Sequence, residues 1–337
     1  MVNIGIIGAG RIGRVHAESI TNNVRGARVV AIADPLMSEA TAAWAAELGI
    51  GRVHTDYRLI LADDTVQAVL VCSSTDTHAD IAIEAIRAGK HVFCEKPVSQ
   101  DLGKIRDVIT ALGESSVKFQ VGFNRRFDHN FEAVRHAVTS GRVGDVHLVR
   151  ITSRDPDAPP LEYVKVSGGL FLDMTIHDFD MVRYLTGSEV IEVYACGDAL
   201  VNPAIRDAGD IDTAVMTLRL ANGAMAVIDN SRKAAYGYDQ RAEVFGSKGQ
   251  VAVTNDTPST AVISTAEGVT GEKPLYFFLE RYMASFSKEI RCFVEAIEQD
   301  SSVPVSIQDG LQPVLIAKAA KRSLDENRPV RLSEIEG

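Results

Sequence analysis

The 337-residue chain has only four cysteines, Cys72, Cys94, Cys196 and Cys292, and no two of them form a CxxC pair. That scarcity argues against a disulfide framework or a zinc knuckle. The expectation is reduced thiols of a cytosolic protein, with Cys72 and Cys94 in apolar, strand-like runs. No apolar run reaches the roughly 18 residues of a membrane span. Positive charge is in deficit: 35 Lys and Arg face 45 Asp and Glu, for a formal net charge of −10. Nucleic acid and anionic membrane are therefore poor partners. After Met1 the chain enters VNIGIIGAG without a charged leader region or a small-residue cleavage site, so it reads as a buried strand and not a signal peptide. Internal repeats, low-complexity tracts and long flexible linkers are absent. A cytoplasmic protein with no nucleic-acid and no membrane partner is expected.

What is present is a soluble globular composition, 46% hydrophobic and 24% charged, at a length that predicts two domains. Through residues 1–123 the apolar runs NIGIIGA, ARVVAIAD, AVLVCSS, HVFCEK and KFQVGF alternate with helical patterns such as SEATAAWAAELG and THADIAIEAIRAG. Continuous Val/Ile/Leu strands alternating with amphipathic helices predict a parallel sheet covered on both faces. Gly89 reads as a helix C-cap and Asp101 as an N-cap.

Residues 124–337 follow another grammar. TAVMTLRL and AMAVIDNS are separated by ANG, and QRAEVFG and QVAVT by SKG, which are hairpin signals. The second domain is expected to be α+β, with an open, mostly antiparallel sheet of at least five strands and helices on one face. Its other face needs cover, and a partner subunit supplies it economically, so a homo-oligomer is expected.

The run Gly8-Ala9-Gly10-Arg11-Ile12-Gly13 lies between the first strand and a helix, the context in which it binds a dinucleotide. Gly8 allows the tight turn, Gly10 lets backbone approach a pyrophosphate, and Gly13 lets helix and strand pack closely. Arg11 and Ile12 complete the turn. Asp34 closes the second strand about 20 residues later, where a carboxylate binds ribose hydroxyls and disfavours a 2′-phosphate, so NAD is expected over NADP. Ser73, Ser74, Thr75 and His78 follow another strand end, and Glu95-Lys96-Pro97 follows the next, so all are candidate cofactor contacts at the carboxyl edge of the sheet. A lysine there can stabilise an oxyanion forming on an alcohol.

DMTIHDFD places Asp173 and His177 at i and i+4, one helical turn apart, with Asp178 and Asp180 facing away as scaffold or solvent-facing groups. No metal is expected, because a third donor at tight spacing is missing.

GIIGAGRIG, then EKP, then Gly168-Gly169-Leu170-Phe171-Leu172-Asp173-Met174-Thr175-Ile176-His177 resemble, in that order, the Gfo/Idh/MocA family of NAD(P)-dependent oxidoreductases. The likeness runs over nearly the whole chain and, within the family, is nearest to the bacterial inositol 2-dehydrogenases. It implies catalytic roles for Lys96, Asp173 and His177, substrate contacts for Arg126 and Tyr236, and a tetramer as the favoured oligomer. Some of those enzymes carry His-Arg-Asn-Pro where this chain has Ser153-Arg154-Asp155-Pro156, which puts the contacts to distal ring hydroxyls, Asp155 included, on different chemistry. Oxidising a secondary alcohol needs a base for its proton, and an imidazole with an ordinary pKa near 6.5 suits neutral pH. His177 takes that part, Asp173 orients it, and Lys96 polarises the oxygen. Substrate recognition would rest on polar groups, with Arg154, Asn230 and Asp239 of the right type beside those named. The expected substrate is a small polyol, myo-inositol first, with scyllo-inositol or an aldopyranose as the alternative. A non-catalytic dinucleotide sensor is the rival of another class.

Overall fold

The computed structural model describes residues 1–336. The chain divides into two compact units, one of Met1–Phe127 with Met283–Gln312 and one of Asp128–Tyr282 with Pro313–Gly337.

The first unit holds six strands, β1 (Val2–Ile7), β2 (Ala27–Ala33), β3 (Arg52–His54), β4 (Ala68–Val71), β5 (His91–Glu95) and β6 (Phe119–Gly122). They form a sheet in the order β3-β2-β1-β4-β5-β6, and every pairing is parallel. This is the Rossmann order, and its direction of growth reverses between β1 and β4. The carboxyl ends of those two strands, at Gly8 and Cys72, therefore open the ligand crevice. β4 reads Ala-Val-Leu-Val and is wholly buried, as a strand covered on both faces must be.

The core explains why the first unit is not simply residues 1–123. The Met283–Glu298 helix buries Ile290, Phe293 and Val294 against Ile4, Ile20, Leu70 and Phe93. The Phe93 and Phe293 rings meet edge-on at 6.0 Å. Burying each such side chain is worth about 1.5–3 kcal/mol. A late segment thus supplies part of the early unit's core.

The second unit carries β7 (Val146–Arg154), β8 (Val190–Asp198), β9 (Thr213–Leu220), β10 (Met225–Ser231), β11 (Asp239–Gly246) and β12 (Gly249–Val253), with a small hairpin of β13 (Val262–Thr265) and β14 (Gly268–Gly271), and finally β15 (Val330–Arg331). The main sheet runs β12-β11-β7-β10-β9-β8-β15. Its pairings are antiparallel except β7 with β10. It is the α+β, mostly antiparallel sheet expected, with seven strands where at least five were counted. Burial alternates strictly along β9, with Ala214, Met216, Leu218 and Leu220 inside. The Ile176–Thr186 helix covers that inner face at β7 and β10, where Asn230 donates to Asp178 at 2.9 Å. On the other face Val215, Met225 and Phe245 are exposed.

Candidate active site

The glycine loop is built for an anion. Gly8 has φ +103°, and a Cβ there would come within 2.5 Å of the Cys72 carbonyl oxygen. A Cβ on Gly13 would collide with the Gly8 carbonyl. Gly10, in contrast, would point a Cβ into open space. It precedes α1 (Arg11–Asn23), whose first turn has neither a side-chain cap nor an acidic residue. The free N–H groups and macrodipole of that helix end are left for a phosphate. Arg11 is exposed and Ile12 half-buried beside it. Asp34 accepts from the Ala9 N–H at 2.7 Å and the Leu36 N–H at 2.8 Å, which ties the end of β2 to the loop. The close-packed glycine turn and the uncapped helix end fit the pyrophosphate of a dinucleotide.

After β4, Ser73 bonds Thr77 at 2.7 Å, with Ser74 exposed and Thr75 half-buried. His78 is different. It is buried, and its ring nitrogens meet the Pro97 carbonyl at 2.9 Å and the Ser73 carbonyl at 3.0 Å. The imidazole is a clamp between two strand ends. Glu95 is held likewise. Its carboxyl is buried and bonded to the fully buried His16 ring at 2.7 Å. Both ends of this clamp flank Lys96, which is half-buried and precedes Pro97 through a cis peptide.

Among the described residues, His16, Glu95 and Glu289 form one group whose ligand atoms lie within 4.8 Å of each other. The 2.7 Å contact of His16 with Glu95 is a hydrogen-bond length. Two ligands of one tetrahedral ion, each about 2.1 Å from it, would stand about 3.4 Å apart. Arg126, also in the first unit, donates through Nη2 to Asp309 Oδ1 at 2.9 Å.

In the second unit the helix expected to carry both Asp173 and His177 is broken. One segment spans Gly169–Asp173 and the next Ile176–Thr186. Met174 and Thr175 form the break, and both backbone N–H groups bond the Leu170 carbonyl at 3.0 Å. Buried Thr175 then donates to Asn230 at 2.5 Å, which holds the kink to the sheet. Of the two places expected for Asp178 and Asp180, scaffold or solvent, the structure has the scaffold: both are fully buried. Asn230, with its amide bonded to Asp178 and to the Ser153 carbonyl, belongs to this scaffold.

Asp173 sits among partners that no sequence pattern flags. Its Oδ1 accepts from the Tyr163 hydroxyl at 2.8 Å, and its Oδ2 lies 2.9 Å from Arg232 Nη2. Arg232 also faces Asp155, at 3.8 Å. β7 and β10 are parallel in register, Ser153 beside Asn230 and Arg154 beside Ser231, so Asp155 and Arg232 emerge together from adjacent strand ends. Tyr236 belongs to another group. Its hydroxyl donates to Asp239 at 2.6 Å and accepts from Arg154 at 3.2 Å. Burial, first of all, and the bond to Asp239 push the Tyr236 hydroxyl pKa upward. Arg154 also bonds Asp229 at 2.8 Å.

Comparison with known proteins agrees with the fold. Residues 2–123 match the oxidoreductase family with an NAD-binding Rossmann fold, and residues 131–252 match the GFO/IDH/MocA C-terminal domain. The chain belongs to the Gfo/Idh/MocA family. It is 47% identical over 336 residues to the myo-inositol 2-dehydrogenase of Thermotoga maritima, covering 100% of each chain. To the inositol 2-dehydrogenase of Rhizobium meliloti it is 47% identical, covering 98% of this chain and 99% of the relative. The scyllo-inositol dehydrogenase of Lactobacillus casei, solved with bound NAD(H) and scyllo-inositol, superposes with a TM-score of 0.92 at 32% identity, over 99% of both chains. As a member of the Gfo/Idh/MocA family, the chain is an NAD-dependent dehydrogenase acting on CH–OH groups. Among the described residues no helix is long and apolar enough to cross a membrane.

Proposed function

We propose that the chain oxidises a secondary alcohol of a cyclitol, myo-inositol to 2-keto-myo-inositol (scyllo-inosose), with NAD. The observation that carries this reading is full-length 47% identity to a myo-inositol 2-dehydrogenase in a chain that has Lys96, Asp173 and His177 together. Bound NAD supplies the hydride acceptor. The remaining work falls to side chains. His177 takes the hydroxyl proton, an imidazole being suited to that at neutral pH. Asp173, anchored by Tyr163 and Arg232, carries the negative charge that favours an imidazolium. Lys96, at the strand end fixed by the Glu95 and His78 clamps, brings an ammonium that stabilises developing negative charge on the substrate oxygen. Arg126, Asp155 and Tyr236 supply hydroxyl contacts.

A neutral polyol offers hydroxyls alone, and the polar, non-apolar character of Asp155, Asp173 and Tyr236 suits it. NADH formation followed by absorbance over a panel of myo-inositol, scyllo-inositol and aldopyranoses tests the reading. Highest kcat/KM on myo-inositol is expected, preference for scyllo-inositol or a sugar would reassign the substrate, and NAD binding with no turnover would make the chain a sensor. The exposed sheet face with Val215, Met225 and Phe245 supports a homo-oligomer, with a tetramer expected from native mass spectrometry. A reaction that draws on the shared dinucleotide pool fits a cytoplasmic enzyme.

A further inference from the structure

Arg232 is 3% exposed, and a buried guanidinium is tolerated only where opposite charge compensates it. Two carboxyl groups do so: Asp173 at 2.9 Å and Asp155 at 3.8 Å. Those side chains are 13% and 18% exposed, so the cation lies behind them and they form the accessible layer. Its backbone is fixed as well, since the Arg232 N–H donates to the Asp212 carbonyl at 2.8 Å and the Asp155 N–H to the Ser231 carbonyl at 2.9 Å. Tyr163, from the Leu161–Ser167 helix, holds the other oxygen of Asp173. The guanidinium Nε and Nη2 are buried and make no well-aligned hydrogen bond, even across the 2.9 Å contact. Polar contacts at catalytic sites are often loosely aligned without substrate and tighten when it binds.

We infer that Arg232 is the positioning residue of the substrate site: one buried cation orients Asp155 and Asp173 together as a pair of hydroxyl acceptors. The inference rests on the functional reading above and deepens it. One cation behind two carboxylates leaves the layer with a single net negative charge. A neutral polyol is accepted there, and an anionic sugar acid is repelled. The planar guanidinium fork can address two carboxylates at fixed angles, which an ammonium cannot.

The test compares Arg232→Gln and Arg232→Lys in the full-length chain with NAD. Displacing a catalytic group by about 1 Å can cost about 10²-fold in rate. R232Q is expected to lose between about 10-fold and 10²-fold in kcat, with NADH affinity by fluorescence titration unchanged. R232K should recover part of that loss, because it restores charge without the fork. Guanidinium or ethylguanidine added to Arg232→Ala should restore turnover in a saturable way. Unchanged kcat in R232Q, or equal loss in kcat and in NADH affinity, overturns the inference. Should the parent chain turn over no polyol, the functional reading fails by itself and a second measurement decides Arg232. In ¹³C-aspartate NMR, with the Asp173 signal assigned by Asp173→Asn, removal of the cation 2.9 Å away in R232Q should displace the Asp173 carboxylate resonance at a fixed neutral pH. A resonance that stays in place overturns the inference. If R232Q does not fold, Arg232→Met, which also removes the charge, takes its place in both experiments.

Discussion

Inside the first unit the imidazole Nε2 of His16 lies 2.7 Å from Oε1 of Glu95, the residue directly before Lys96. Gly122 on the neighbouring strand makes room, for a Cβ there would come 3.2 Å from the Glu95 carboxyl carbon. His16→Ala leaves a buried carboxyl without its imidazole. It should lower unfolding free energy by about 1–3 kcal/mol, read from urea unfolding, and lower kcat through Lys96. A variant as stable and as active as the parent would show the pair to be idle.

Glu289 gives the first unit a pH dependence. It is fully buried, and neither carboxyl oxygen has a hydrogen-bond partner. Burial, and secondarily the charge of Glu95, push its carboxyl well above the ordinary 4.5. Between that ordinary value and the raised one, the folded chain keeps a proton that the unfolded chain has released. Stability therefore falls as pH rises through that window, by at most about 1.4 kcal/mol per pH unit. In Glu289→Gln that contribution is gone. Urea unfolding from about pH 5 to about pH 8 should show the variant gaining on the parent as pH rises. Parallel stability curves would contradict the assignment.

The glycines of the loop separate packing from binding. Gly10→Ala places a methyl where no protein atom stands within 4 Å, so thermal unfolding should stay near the parent's while the NAD Kd rises. Gly8→Ala and Gly13→Ala drive a Cβ into backbone, and their melting temperatures should fall with or without NAD. Asp34→Ser should narrow the preference for NAD over NADP, measured as the ratio of kcat/KM values.

His177→Ala should lower kcat on the best polyol by about 10²-fold or more, the scale of general base catalysis, with NADH binding retained. Near-parental turnover would remove His177 from the base's role.

Most of the parallel sheet was legible because five of its strands are nearly continuous apolar runs bracketed by caps; Asp101 does accept from the Gly103 and Lys104 N–H groups, and Gly89 is left-handed. β3 was not, since Arg52–His54 is three residues of an edge strand with no apolar signature. The kink at Met174–Thr175 escaped a pattern of i and i+4 spacing because a side chain, Thr175, bonds the distant Asn230 to stabilise it. Arg232 is invisible for the same reason: its meaning lies in strands β7 and β10, which are far apart in sequence and adjacent in register. The cofactor loop is local and was read from six residues. The partners of Asp173 are tertiary.

The first unit is made from two separate stretches of the chain, with Ile290, Phe293 and Val294 joining Ile4, Ile20 and Phe93. A ribosome emits the whole second-unit segment Asp128–Tyr282 before those residues appear. The nascent Rossmann sheet must therefore wait with an apolar face uncovered, and a chain released before Met283 cannot close it. That interval is when a chaperone would have most to hold, and limited proteolysis of chains stalled on either side of Met283 would time it.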